Sequence, residues 1–93
     1  MSPSQTAEEY CLTRSQWLAK WPTDTRWMIH LAAESLPTND TEDSESLRGP
    51  LTERLRQAVR ERYGNPVLIW ILLNVVVPIV VRLVIEWWKN RKE

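Results

Sequence analysis

Apolar positions are spread unevenly along the chain. They recur at helical spacing up to residue 36, almost vanish from 37 to 50, return at helical spacing from 51 to 63, and run nearly unbroken from Val67 to Val81. In the first block, Thr6–Glu9 reads TAEE. That spacing lets Thr6 accept from the Glu9 amide while Glu9 reaches back, so it predicts a helix start. The helix expected over residues 7–20 places Tyr10, Cys11, Trp17, Leu18 and Trp21 on one face. Pro22 closes it, because the residue before a proline avoids the helical region. A second helix restarts at once, with Thr23 or Asp24 as cap and Trp27, Met28, Leu31, Ala32 and Leu36 as its apolar stripe. Residues 1–36 therefore predict a small helical head built as a hairpin of two helices.

Residues 37–50, PTNDTEDSESLRGP, are acidic, rich in turn formers and without periodicity, so a flexible linker is expected there. They include NDT at Asn39–Thr41, which matches the glycosylation acceptor pattern but is common by chance. Residues 51–64 predict a basic amphipathic helix. Pro50 suits its first turn, Leu51, Leu55, Ala58, Val59 and Arg62 fall on one side, and Gly64 with Pro66 forms a stop. Its Arg56 and Arg60 are placed to snorkel into a headgroup layer; packing on the head is the other expectation for this helix.

The last block, residues 66–88, predicts one long apolar helix followed by a basic tail at 89–93. From Val67 to Val81 no side chain is charged. Fifteen helical residues reach about 22 Å, and extension through Ile85 reaches about 28 Å, close to a hydrocarbon core of roughly 30 Å. About fifteen aliphatic or aromatic residues contribute roughly −4 to −9 kcal/mol toward insertion, and one arginine near the end costs less than its central value of about 3. Trp87 and Trp88 suit an interfacial aromatic belt, and Lys89 and Arg91 suit the headgroups. A strand through VVVPIVV is disfavoured by its central proline. A buried helix in a soluble assembly would need covering on nearly every side, and the rest of the chain looks too small to supply that. The fold class is all-α.

Within this block Asn74, Pro78, Arg82 and Glu86 recur every four residues. Each step of four turns an α-helix by about 40°, so they form one slanting ridge. Polar side chains gathered on one ridge point to a helix–helix contact or a wet cavity; a short span that tolerates its polar residues near one end is the other expectation. Pro78 removes the hydrogen bond to the Asn74 carbonyl, so a kink is expected there, and Arg82 can pair with Glu86 along the helix.

Composition sharpens the location. The formal net charge is zero, but residues 51–93 carry eight basic and four acidic side chains, while residues 37–50 carry one and four. The basic end is the apolar end, which points to anionic lipid headgroups as partner rather than nucleic acid. MSPSQTAEEYC has neither a positive start nor an apolar stretch, so a cytoplasmic start is expected. Five arginines between 48 and 66 lean the same way, toward a cytoplasmic N-terminus. Trp17, Trp21 and Trp27 either form a small core or carry a contact on the soluble side, with a partner or a membrane surface.

Chemistry is sparse. Cys11 is the single cysteine and His30 the single histidine, and His30 with Glu34 supplies too few ligands for a metal site. Two glycines leave no phosphate loop. No enzyme, cofactor or small-molecule substrate is expected. The layout resembles that of tail-anchored subunits, single-span phage lysis proteins and small virion membrane proteins, without a motif that selects among them. It implies a single-pass membrane protein acting by interaction, self-associating or as an accessory subunit. A lytic or pore-forming span and a soluble subunit with residues 67–88 buried in an oligomer are the alternatives.

Overall fold

The computed structural model describes residues 6–36 and 44–92. The described residues are all helical or connecting, with no strand. Helix α1 (Ala7–Arg14) opens on the expected capping box: the Glu9 amide donates to Thr6 Oγ1 at 3.1 Å, and the Glu9 carboxylate accepts from Thr6. It stops at Ser15, six residues short of its expected end. Ser15 is extended, its amide still donates to the Cys11 carbonyl, and its own hydroxyl accepts from the Leu18 amide to start α2 (Gln16–Lys20). Serine competes poorly inside a helix and well at its start. The break turns Leu18 into the core and leaves Trp17 and Trp21 outside, so these five residues do not share one face as expected.

Helix α3 (Pro22–Glu34) begins with proline in its first turn, where no amide donor is needed. The cap position falls to Trp21 rather than Thr23 or Asp24. Its carbonyl takes the amides of Asp24 and Thr25 at 3.2 and 3.0 Å. The fully buried Thr25 hydroxyl bonds to the carbonyls of Trp21 and Leu18 at 2.8 and 3.1 Å, which pins the joint between α2 and α3.

Helix α4 (Ser44–Arg62) starts inside the stretch expected to be linker, so Pro50 lies within the helix rather than in its first turn. The Asn39–Thr41 tripeptide lies outside the described residues. After Tyr63 and Gly64, Asn65 caps the next helix by accepting from the amides of Val67 and Leu68. That helix runs as α5 (Pro66–Ile71), a π turn (Leu72–Val76) and α6 (Val77–Lys92). The Val77 amide donates to the Leu72 carbonyl, five residues back. The π turn sits directly before Pro78, whose ring would strike the carbonyl four residues earlier in an α-helix.

Helices α1, α3 and α4 all pack on α6. The core joins Cys11, Leu18, Met28 and Ile29 of the head, Leu55 and Val59 of α4, and Val77, Val80 and Val84 of α6, all fully buried. The chain does cover one side of its own apolar helix, contrary to the expectation that it is too small to do so. No residue of α5 is buried. The long dimension, 40 Å, is close to the length of a 25-residue helix, about 37 Å.

Candidate functional site along the long helix

Residues Pro66–Asn90 form one helix long and apolar enough to cross a membrane, and half of its most apolar stretch is buried inside the molecule. Between Leu68 and Trp88 the exposed positions along it are Trp70, Asn74, Pro78, Arg82 and Glu86, the expected ridge extended one step back. The buried positions, Leu72, Leu73, Val76, Val77, Val80, Val81, Val84 and Trp88 among them, lie opposite. The structure thus brings the four predicted ridge residues together on one open side.

The π turn explains how they stay in line. Sixteen α-helical steps from Trp70 to Glu86 would drift by about 160° at about 100° each. One i→i+5 turn takes an extra residue to close, which holds back the rest of the helix by about 100°. The ridge therefore slants far less than its spacing predicts. Asn74 adds to this local order, since its side-chain amide donates to the Trp70 carbonyl at 2.9 Å. That bond gives the polar group a partner within its own helix, which lowers the cost of placing it in an apolar medium.

At the far end of the ridge, Glu86 reaches α1 rather than pairing along its own helix with Arg82. The Tyr10 hydroxyl donates to Glu86 Oε1 at 2.6 Å and accepts from the Asn90 side chain at 3.1 Å. The Arg14 guanidinium stacks over the Tyr10 ring at 3.8 Å, with its Nε 3.9 Å from Glu86. Burial, followed by the Glu86 carboxylate as acceptor, raises the Tyr10 hydroxyl above its ordinary value. Cys11 beside it is fully buried, and that burial pushes its thiol up to about 12. A thiol held there is a packing group, not a nucleophile.

At the other end, Tyr63 joins the head to the start of the long helix. Its hydroxyl donates to Asp24 Oδ1 at 2.9 Å and accepts from the Trp27 indole at 3.1 Å. Arg62 lies 4.6 Å above the Trp27 ring. Burial raises the Tyr63 hydroxyl too; Trp27 donation opposes this and the Asp24 carboxylate reinforces it. Trp27 is thus half-buried in the head–α4 contact, whereas Trp17 and Trp21 stand out in the open. Of the residues expected at a membrane interface, Arg60 and Lys89 are exposed, Arg56 and Trp87 half-buried, and Trp88 buried; the Arg91 side chain lies outside the described part.

His30 bonds Glu8 at 2.8 Å, and Glu8 also holds Arg26 at 3.3 Å, so the histidine is a strut between α1 and α3. Among the described residues no group of three or more acidic, histidine or cysteine side chains is placed to hold a metal. Sequence reasoning missed the Tyr10–Glu86 contact, which joins positions 76 apart and leaves no local signal. It also missed Tyr63. No family model, curated protein or solved structure matches the chain.

Proposed function

We propose that this chain is a small single-pass membrane protein that works by contact, with Pro66–Asn90 as its anchor and its N-terminus in the cytoplasm. The observation that carries the reading is a 25-residue apolar helix whose polar residues share one open side. In a bilayer such a side is where a helix meets a second copy of itself or a neighbouring span. The self-bonded Asn74 and the basic tail fit that setting. A second reading is favoured by the burial of half the apolar stretch against the head and α4: a water-soluble bundle with the helix as its core.

Carbonate extraction separates the two. The full chain expressed in bacteria is expected to stay in the membrane pellet, and a chain ending at Pro66 is expected to be released. Release of both would leave the soluble bundle. Within the pellet, Asn74→Leu should weaken association measured by cross-linking by several-fold without blocking insertion; unchanged association would remove the ridge as the contact.

A further inference from the structure

The cover over the long helix is uneven from end to end. At its start, no residue of α5 is buried, and Val67 and Trp70 are 68% and 62% exposed. Toward its finish, Leu83, Val84, Ile85 and Trp88 are buried, and α1 is fastened there by polar contacts. The Tyr10 hydroxyl donates to Glu86 Oε1 at 2.6 Å and accepts from the Asn90 side-chain amide at 3.1 Å. The Arg14 guanidinium lies 3.8 Å over the Tyr10 ring, with its Nε 3.9 Å from the same carboxylate. Arg82 and Lys89 flank Glu86 on its own helix, yet the carboxylate meets α1.

We infer that this cluster is an autoinhibitory latch: in water it holds the membrane-crossing helix against the head, and it has to open before the helix inserts. The inference rests on the reading of Pro66–Asn90 as the bilayer-crossing element, with the closed bundle as its form in water. The argument turns on which contacts a bilayer replaces. For α6, exchanging apolar side chains of the head for acyl chains is nearly even, because lipid tails are as apolar as leucine. The latch has no such replacement. With the N-terminus in the cytoplasm, the end of the helix that crosses is the one carrying Glu86, and hydrocarbon offers it no hydrogen bond on the way. Once that end has crossed, Glu86 and Tyr10 lie on opposite faces of the bilayer, so the contact cannot form again. The latch therefore favours the closed form alone. Baring Met28 and Ile29 of the head acts in the same direction, but only the latch can be cut while both apolar faces stay as they are. The open end, α5, is the one that stays beside the cytoplasmic surface, so the closed form restrains the helix at the end that has to travel.

The test compares the full chain with Tyr10→Phe and Arg14→Gln, which leave the sequence of the long helix untouched. Each is added to vesicles of phosphatidylglycerol and phosphatidylcholine, washed in carbonate and floated through sucrose, which separates inserted chain from aggregate. The readout is the lipid concentration at which half of the chain floats. Insertion through a minor open form scales with the population of that form. Tyr10→Phe takes a hydrogen bond to a carboxylate from the closed form alone, so it should lower the lipid requirement about tenfold. Arg14→Gln, at a half-exposed position outside the core, should lower it about twofold. Equal lipid requirements for all three chains overturn the latch and leave the span standing. A higher requirement for Tyr10→Phe also overturns the latch, since the contact would then assist entry. If none of the three floats after the carbonate wash, the span falls and the latch falls with it.

Discussion

Tyr10 shows how one side chain can tie a fold together from its edge. Its ring is buried under Arg14, while its hydroxyl meets Glu86 and Asn90. A hydrogen bond to a charged group contributes about 1.5–3 kcal/mol, and the half-exposed Glu86 side chain puts this one at the lower end. Tyr10→Phe keeps the ring and loses the bond, so urea unfolding should report a loss of about 1.5 kcal/mol. A loss under a few tenths would mean that solvent replaces the bond freely. Alkali acts on the same place. Cys11 and Tyr10 are acids whose folded values lie above their ordinary ones, so the unfolded chain gives up these protons first. The stability they supply is whole below about pH 9, and it is lost as pH rises toward the folded values, about 12 for Cys11. The melting temperature should therefore hold level to about pH 9 and then fall, and Cys11→Ala should flatten the early part of the fall. A level profile from pH 8 to 11 would contradict the burial of both groups.

At the scale of elements, local signals in the sequence were readable where they act locally. The Thr6–Glu9 box, the restart at Pro22 and the exposed ridge of Asn74, Pro78, Arg82 and Glu86 all stand in the structure. The break at Ser15 was not readable locally, because serine suits a cap but only packing, which turns Leu18 in and Trp17 out, decides that it becomes one. Nor was the early start of α4, where Glu45 and Arg48 look like linker until Leu51 and Leu55 are seen packed in the core. The π turn lies between these cases: Pro78 announces a lost bond, but only packing decides between a kink and an extra residue. Pro78→Ala tests that choice. It restores an amide donor for Asn74, and removing a helix-interior proline is ordinarily worth about 3 kcal/mol. It also favours a return to α geometry, which would turn residues 66–73 by about 100° relative to α6. Leu72 and Leu73 would leave the core at about 1.5–3 kcal/mol each. Alanine at this position is compatible with the π turn as well, and relaxing the turn would cost more than the bond gained, so the π turn should stay and stability in urea should change by less than about 1 kcal/mol. A gain of 2 or more would show that the π turn is a tolerated defect and not what aligns the ridge.

For the whole molecule the central fact is that the same helix is both long enough to span and half wrapped by its own head. Spanning requires the wrapping to come off, since Cys11, Met28, Ile29, Leu55 and Val59 are buried together with α6. In a bilayer, lipid would replace that cover for α6, whereas the α1–α3 contact and the Tyr63–Asp24 bond do not involve α6. Cys11 reports which state is present. In the wrapped form its thiol sits at about 12 instead of 9, so it holds about a thousandfold less thiolate at neutral pH, and it has no exposed surface. Unwrapping removes Glu86 and much of the apolar cover at once. Labelling with a small thiol reagent at pH 8 should therefore be slow in buffer, and it should accelerate by at least about a hundredfold when the chain is in anionic vesicles. The folded chain in buffer and the urea-unfolded chain set the two limits of the scale. A rate near the unfolded limit in vesicles means that the helix has left the head and entered the lipid. A rate near the folded limit means that the bundle stays closed and that the helix has not entered the lipid.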